Sequence, residues 1–156
     1  MMAIPFEEGS VIHILGQQLT ITHQRNFICR AVDIEEEDLV VYGPKDLLSD
    51  MVTVFLRRYA QEKYTEICEG YAKQTREHFN KVSIRNQKSR WGSCSSQRNI
   101  SLSWRLLFAP YEVAACVCAH EVAHLTEMNH SKAFWEIVNN IPDYPCCPAI
   151  VNNRLG

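Results

Sequence analysis

The chain has 156 residues and a mass of 18.0 kDa, with 46% hydrophobic and 22% charged residues. That is about one domain's worth of ordinary globular composition, which excludes a disordered tail, a collagen-like chain and a disulfide miniprotein. The net charge of −2 by itself implies no nucleic-acid partner.

Residues 10–42 read as β structure. Ser10–Leu15 and Leu19–His23 flank Gly16-Gln17-Gln18, a hairpin signal. Asn26–Ile34 and Asp38–Tyr42 form a second pair around the acidic turn Glu35-Glu36-Glu37, and Gly43-Pro44 closes the β region. Residues 46–79 carry apolar side chains at helical spacing: Leu47, Leu48, Met51, Val54, Phe55 and Tyr59, then Tyr64, Ile67, Cys68, Tyr71 and Thr75. The stripe changes phase near Gln61, which leaves open a kink or two shorter helices. Residues 82–106 suggest two strands, Val82 and Ile84 alternating with polar neighbours and Ile100, Leu102 and Trp104 doing the same, joined by a polar loop. A helix is expected over 110–128, with Pro110 in its first turn, Glu112 complementing the dipole and Asn129 as a left-handed stop. Ser131 then caps a last helix, Lys132 to Asn139, ending near Pro142.

Charge is unevenly spread. His78 to Tyr111 holds Lys81, Arg85, Lys88, Arg90, Arg98 and Arg105 with no Asp or Glu, leaving ten basic against eighteen acidic residues elsewhere. The seven Cys include no CxxC pair, so neither a zinc ribbon nor a thioredoxin motif is expected, and most thiols should be reduced. Cys116 and Cys118 read as core filling. No apolar run reaches the length of a membrane span. Met1 to Leu15 carries Glu7 and Glu8 without Lys or Arg, unlike a secretory signal, so a cytoplasmic location is expected.

The strongest chemical signal is His120-Glu121-Val122-Ala123-His124. On a helix, positions i and i+4 share a face, so both imidazoles can reach one cation while Glu121 stands beside them as a base for water. A catalytic zinc site needs a third protein ligand and an open position. His130 is the first candidate, with Glu127 as a competitor. Had the helix run on, His130 would lie about 600° past His124, off the shared face, so the helix must stop between them. One divalent ion is expected, zinc by its ligands, although three imidazoles also accept nickel, cobalt or manganese. His13, His23 and His78 read as structural or surface residues. Phe134 and Trp135 should pack the last helix under the site. In the basic segment, Gly92 would let backbone approach a ligand, Arg90 offers a planar fork for carboxylate or phosphate, and Trp91 could stack a base or plug the core.

These motifs, taken in order, carry a resemblance. Lys88-Ser89-Arg90-Trp91-Gly92-Ser93-Cys94, Ile100 to Leu106, Ala109-Pro110, the His120–His124 motif and Asn129 to Trp135 resemble the YgjP-like metal-dependent hydrolases, which are related in motif to SprT-type and other zincin metallopeptidases. The match spans about residues 82–144. It implies an α+β, zincin-like fold with His120, His124 and His130 as metal ligands and Glu121 as catalytic base. It also implies a metallopeptidase label, with a nucleoside triphosphate pyrophosphatase activity associated as well. Family members continue after a Pro-Asp-Tyr like Pro142-Asp143-Tyr144 with a basic helix, where this chain runs Pro145-Cys146-Cys147-Pro148.

Three functions follow as expectations. A peptidase would bind an extended substrate along a strand such as 100–105. A nucleoside triphosphate pyrophosphatase would use Arg85, Lys88, Arg90 and Arg105 on the phosphates and Trp91 on the base. A nucleic-acid-binding module with a structural metal is the third, though such sites are usually closed and rich in Cys. The expected organisation is one domain over 1–156: a β-rich part at 1–44, a helical scaffold at 46–79, a metal-binding catalytic core at 80–144 and an irregular tail at 145–156.

Overall fold

The computed structural model describes residues 5–86 and 90–141. Strands β1 (Val11–Ile14) and β2 (Gln17–Gln24) form the first hairpin. Its turn is Leu15-Gly16, one residue tighter than the expected Gly16-Gln17-Gln18, with Ile14 opposite Gln17. Both turn residues have positive φ, 51° and 87°. That backbone matches the twist of the flanking strands, and glycine adopts it without strain.

Strand β3 (Ala31–Glu35) pairs antiparallel with β4 (Asp38–Tyr42), as expected. It begins five residues later than the alternation suggested. Asn26 Oδ1 accepts from the amides of Ile28 and Cys29 at 2.9 and 3.0 Å, and this Asx turn withdraws 26–30 from the strand. The two pairs are not separate hairpins. β2 and β4 pair in parallel, giving one mixed sheet in the order β1-β2-β4-β3.

Helix α1 (Leu48–Thr75) is unbroken over 28 residues and ends at Arg76 in the left-handed conformation. No kink is needed at Gln61, because Val52, Leu56, Ala60, Tyr64 and Cys68 continue one buried i, i+4 ridge. Gln61 leaves that ridge and donates its side-chain amide to the Val82 carbonyl, tying α1 to the next sheet.

The second sheet has three strands: β5 (Lys81–Arg85), β6 (Gly92–Cys94) and β7 (Asn99–Ser103). The expected polar loop thus contributes a strand of its own. β7 lies in the middle, parallel to β5 and antiparallel to β6. Both flanks of β7 are occupied, so the suggestion that 100–105 receives an extended peptide fails. β7 also stops at Ser103, whose hydroxyl accepts from the Arg105 amide at 3.3 Å and starts a 3-10 helix, Trp104–Phe108.

Helix α2 (Tyr111–Ala123) is buried from Ala114 onward. It packs on α1, where Cys68 and Cys118 meet. Their hydrogen bond, with burial second, holds the Cys68 thiol well above the usual range. Cys29, Cys68, Cys94 and Cys118 are free, whereas Cys116, expected as simple filling, is disulfide-bonded. Helix α3 (Lys132–Asn139) starts where the sequence indicated, with Ser131 Oγ accepting from the Phe134 amide at 3.4 Å. Among the described residues, no helix is long and apolar enough to cross a membrane.

Candidate metal centre

Buried helix α2 carries His120 and Glu121, and His124 closes it; they are 1%, 0% and 3% exposed. The one-turn spacing puts the two imidazoles on one face, ring centres 4.9 Å apart. The helix ends at Ala123, five residues before the expected end, with His124 as its C-cap. Leu125 and Thr126 donate to the carbonyls of Val122 and Ala123 at 3.0 and 3.2 Å, tightening the chain into i→i−3 bonds. Asn129, read as a left-handed stop, is not among the positive-φ residues. The chain instead turns at 124–126, and His130 returns to lie 5.1 Å from the His120 ring and 4.8 Å from the His124 ring.

The ligand atoms of His120, His124 and His130 fall within 4.8 Å of one another. The Nε2 atoms of His120 and His130 are 3.0 Å apart. Two ring nitrogens that close must share a proton or a cation, and three imidazoles suit a borderline divalent ion such as zinc. The Glu127 carboxylate is not part of this cluster. Its backbone carbonyl instead lies 3.0 Å from His124 Nδ1, a contact that leaves Nε2 for the centre.

The rings rest on α3. Phe134 is fully buried, stacks on His124 at 4.5 Å and meets His120 edge-on at 4.9 Å. Trp135, 42% exposed, lies roughly parallel to His130 at 6.3 Å. The turn after His124 is clasped from the far side. Thr126 Oγ1 donates to Glu77 Oε1 at 3.0 Å, and Glu77 Oε2 pairs with Arg98 at 3.0 Å. No local pattern signals this contact, because Glu77 and Thr126 are 49 residues apart.

Glu121 is the outlier. Among the described residues, neither carboxylate oxygen has a hydrogen-bond partner. Burial pushes its carboxyl up to about 8, against the opposing field of Arg90. Gly92 on β6 makes room for it. A Cβ at Gly92 would stand 3.2 Å from Glu121 Cγ, 3.1 Å from the Ser101 carbonyl oxygen and 2.8 Å from Leu102 Cδ2. Gly92 thus brings the β6 backbone close to Glu121 and β7. Gly92→Ala should destabilise the chain by roughly 1–3 kcal/mol through overpacking. An unchanged unfolding midpoint in urea would contradict this packing.

The basic segment is divided by the sheet. Arg85 is exposed at the end of β5 and Arg90 is exposed just before β6, on the two sides of β7. Arg105 Nε donates to Asn86 Oδ1 at 3.4 Å, an oxygen shared with the Trp104 indole at 3.0 Å. Arg98 is committed to Glu77 and to the His78 carbonyl. Trp91 is half-buried against the main core. Lys88 lies outside the described residues, as do Pro142 to Gly156. Of the other histidines, His23 has its Nε2 2.7 Å from the Gly43 carbonyl, a structural contact.

No curated protein matches the chain. Among solved structures it is similar to the metallopeptidase zymogen of Pyrococcus abyssi abylysin, with 26% identity, 51% of this chain and 80% of that chain covered, and a TM-score of 0.45. The model of the YgjP-like, metallopeptidase domain matches residues 2–150. With nearly the whole sequence matched, the chain belongs to the YgjP-like metallopeptidase family, the metal-dependent hydrolases that the motifs of 82–144 had suggested.

Proposed function

We propose that this protein is a peptidase in which His120, His124 and His130 hold one divalent cation, zinc by donor chemistry, and Glu121 is the general base. The observation that carries this reading is the Glu121 carboxylate, buried without a hydrogen-bond partner among the described residues and next in sequence to one of three converging imidazoles. A structural carboxylate would be paired, whereas an unpaired one is costly unless a cation or a substrate completes it.

When bound, the cation supplies Lewis-acid polarisation of the scissile carbonyl and of water. Glu121 takes the proton of the attacking water at a carboxylate oxygen and later delivers it to the leaving amine. Arg90, the cation whose field lowers the proton affinity of Glu121, keeps that base ionisable despite its burial. The imidazoles stay in place because Phe134 backs two of them and the Glu127 carbonyl orients the His124 ring. Substrate is proposed to run extended along β6, the sheet edge that borders α2, because β7 has no free side.

The nucleoside triphosphate alternative drew on the basic segment as a phosphate clamp. Of the cations assigned to that clamp, Arg105 donates to Asn86 and Arg85 and Arg90 stand on the two sides of β7, and the family match supports peptide. Both substrates belong in one experiment. The zinc-loaded chain is incubated with unfolded casein and, separately, with each nucleoside triphosphate, beside a Glu121→Gln control. New peptide termini that depend on Glu121, without pyrophosphate release, are expected. Glu121-dependent pyrophosphate with intact casein would overturn the peptidase reading.

A further inference from the structure

The sheet edge that borders α2 carries a cation that the fold leaves unneutralised. The Ser103 amide donates to the Trp91 carbonyl at 2.8 Å, so the pairing of β6 with β7 reaches one residue beyond the strand itself. In an antiparallel pair, bonded and non-bonded positions alternate. The backbones of Trp91 and Ser93 are engaged by Ser103 and Ser101 of β7. The N–H and C=O of Gly92 therefore point away from β7, as do those of Arg90 and Cys94 on either side. β6 is the terminal strand of its sheet, so this outward row faces the position of an added strand.

Side chains alternate between the two faces of a strand. Gly92 is on the face that meets α2, because a Cβ there would stand 3.2 Å from Glu121 Cγ. Arg90, two residues earlier, lies on the same face, and Trp91 on the other. The field of Arg90 reaches the Glu121 carboxylate, which agrees with that placement. Arg90 is exposed and forms no ion pair or hydrogen bond among the described residues, whereas Arg98 of the same basic segment is held by Glu77. From His78 to Tyr111 there is no Asp or Glu to neutralise Arg90 from its own segment. A bare guanidinium thus stands at the rim of the metal centre, on the edge along which substrate is proposed to run.

We propose that Arg90 is a specificity-determining residue of the metal centre: it receives a carboxylate of the peptide, from Asp, Glu or the chain's own C-terminus, about two residues from the segment beside Glu121. The inference rests on the peptidase reading and names the class of peptide that the site selects. A strand added to β6 has its residue opposite Arg90 two positions from its residue opposite Gly92, and both direct their side chains to the α2 face. Opposite charges at such a cross-strand pair attract, and like charges repel. The planar guanidinium can hold a carboxylate through two parallel N–H donors, which a lysine cannot do. A divalent ion held by the three imidazoles adds to the same positive field, so Lys or Arg in the substrate at that position is disfavoured.

The test gives the zinc-loaded full chain a set of peptides that differ at one position at a time, Glu, Gln or Lys, each made as the C-terminal acid and as the amide. Mass spectrometry locates the cut and initial rates give kcat/KM. A Glu peptide should be cut about tenfold or more faster than its Gln counterpart at one position near the cut, and the Lys peptide slowest. If the preference instead follows acid over amide, the carboxylate recognised is the C-terminus. Arg90→Gln should abolish the preference, and Arg90→Lys should restore only part of it. Arg90→Gln also alters Glu121 and slows every substrate, but the ratio of Glu to Gln peptides cancels that common factor. Thermal unfolding checks that each variant is folded. The proposal is overturned if peptides are cut with no preference for a carboxylate, or if the preference survives Arg90→Gln undiminished; the peptidase reading then stands without it. Anisotropy of a labelled Glu peptide on the Glu121→Gln chain, with and without Arg90→Gln, separates the two failures. Arg90-dependent binding with no peptide cut by the wild type would remove the peptidase reading and leave the carboxylate site, and neither binding nor cutting would remove both.

Discussion

Glu121→Gln should lower peptide hydrolysis by roughly 10²–10⁴-fold, the usual worth of a positioned general base, while the chain keeps its metal. The same substitution should stabilise the metal-free protein. In the folded chain the Glu121 carboxyl titrates at about 8, against an ordinary value of 4.5. Between those values the native state holds a proton that the unfolded chain has released. Stability of the wild-type, metal-free protein therefore falls as pH rises through that window, by on the order of 1 kcal/mol per pH unit. Gln has no proton to lose, so the variant should lack this slope and be the more stable protein at the alkaline end. Urea unfolding of both proteins in excess chelator, between about pH 5 and pH 8, measures it. Parallel curves for the two proteins would mean that Glu121 is solvated and is not the buried base described above.

His124→Ala should act on the metal first and on turnover through it. Its ring is held from two sides, by the Phe134 face at 4.5 Å and the Glu127 carbonyl at 3.0 Å, so little freedom is lost when a cation binds. Losing one of three ligands should weaken affinity by on the order of 10²–10³-fold. Competition against a chromophoric chelator reads this directly. His120→Ala, from the same face of α2, should behave alike. If either variant binds metal as tightly as the wild type, the cation is held elsewhere.

Much of this centre was legible because its determinants are local. The i, i+4 spacing of His120 and His124 needs only a helix, and Ser131 marks the start of α3 wherever that helix is placed. What failed was long-range. The end of α2 was placed five residues late because the turn at 124–126 is clasped by Glu77, from the loop between α1 and β5. Strand β6 was missed because Gly92-Ser93-Cys94 shows no apolar alternation and is a strand only by pairing with β7. The parallel pairings of β2 with β4 and β5 with β7 leave no local trace, since strand order is set by packing on α1 and α2. The packing of Gly92 against Glu121 is likewise long-range, since the two residues meet only when β6 docks beside α2.

If peptide hydrolysis depends on one cation held by His120, His124 and His130, zinc content and casein cleavage should move together when both are measured on a single preparation, as purified, after exhaustive chelation and after zinc is returned. One zinc per chain is expected, with cleavage lost with the metal and restored in proportion to it, and none in His120→Ala at the same zinc concentration. Undiminished cleavage by the chelated chain, or by His120→Ala, would contradict it.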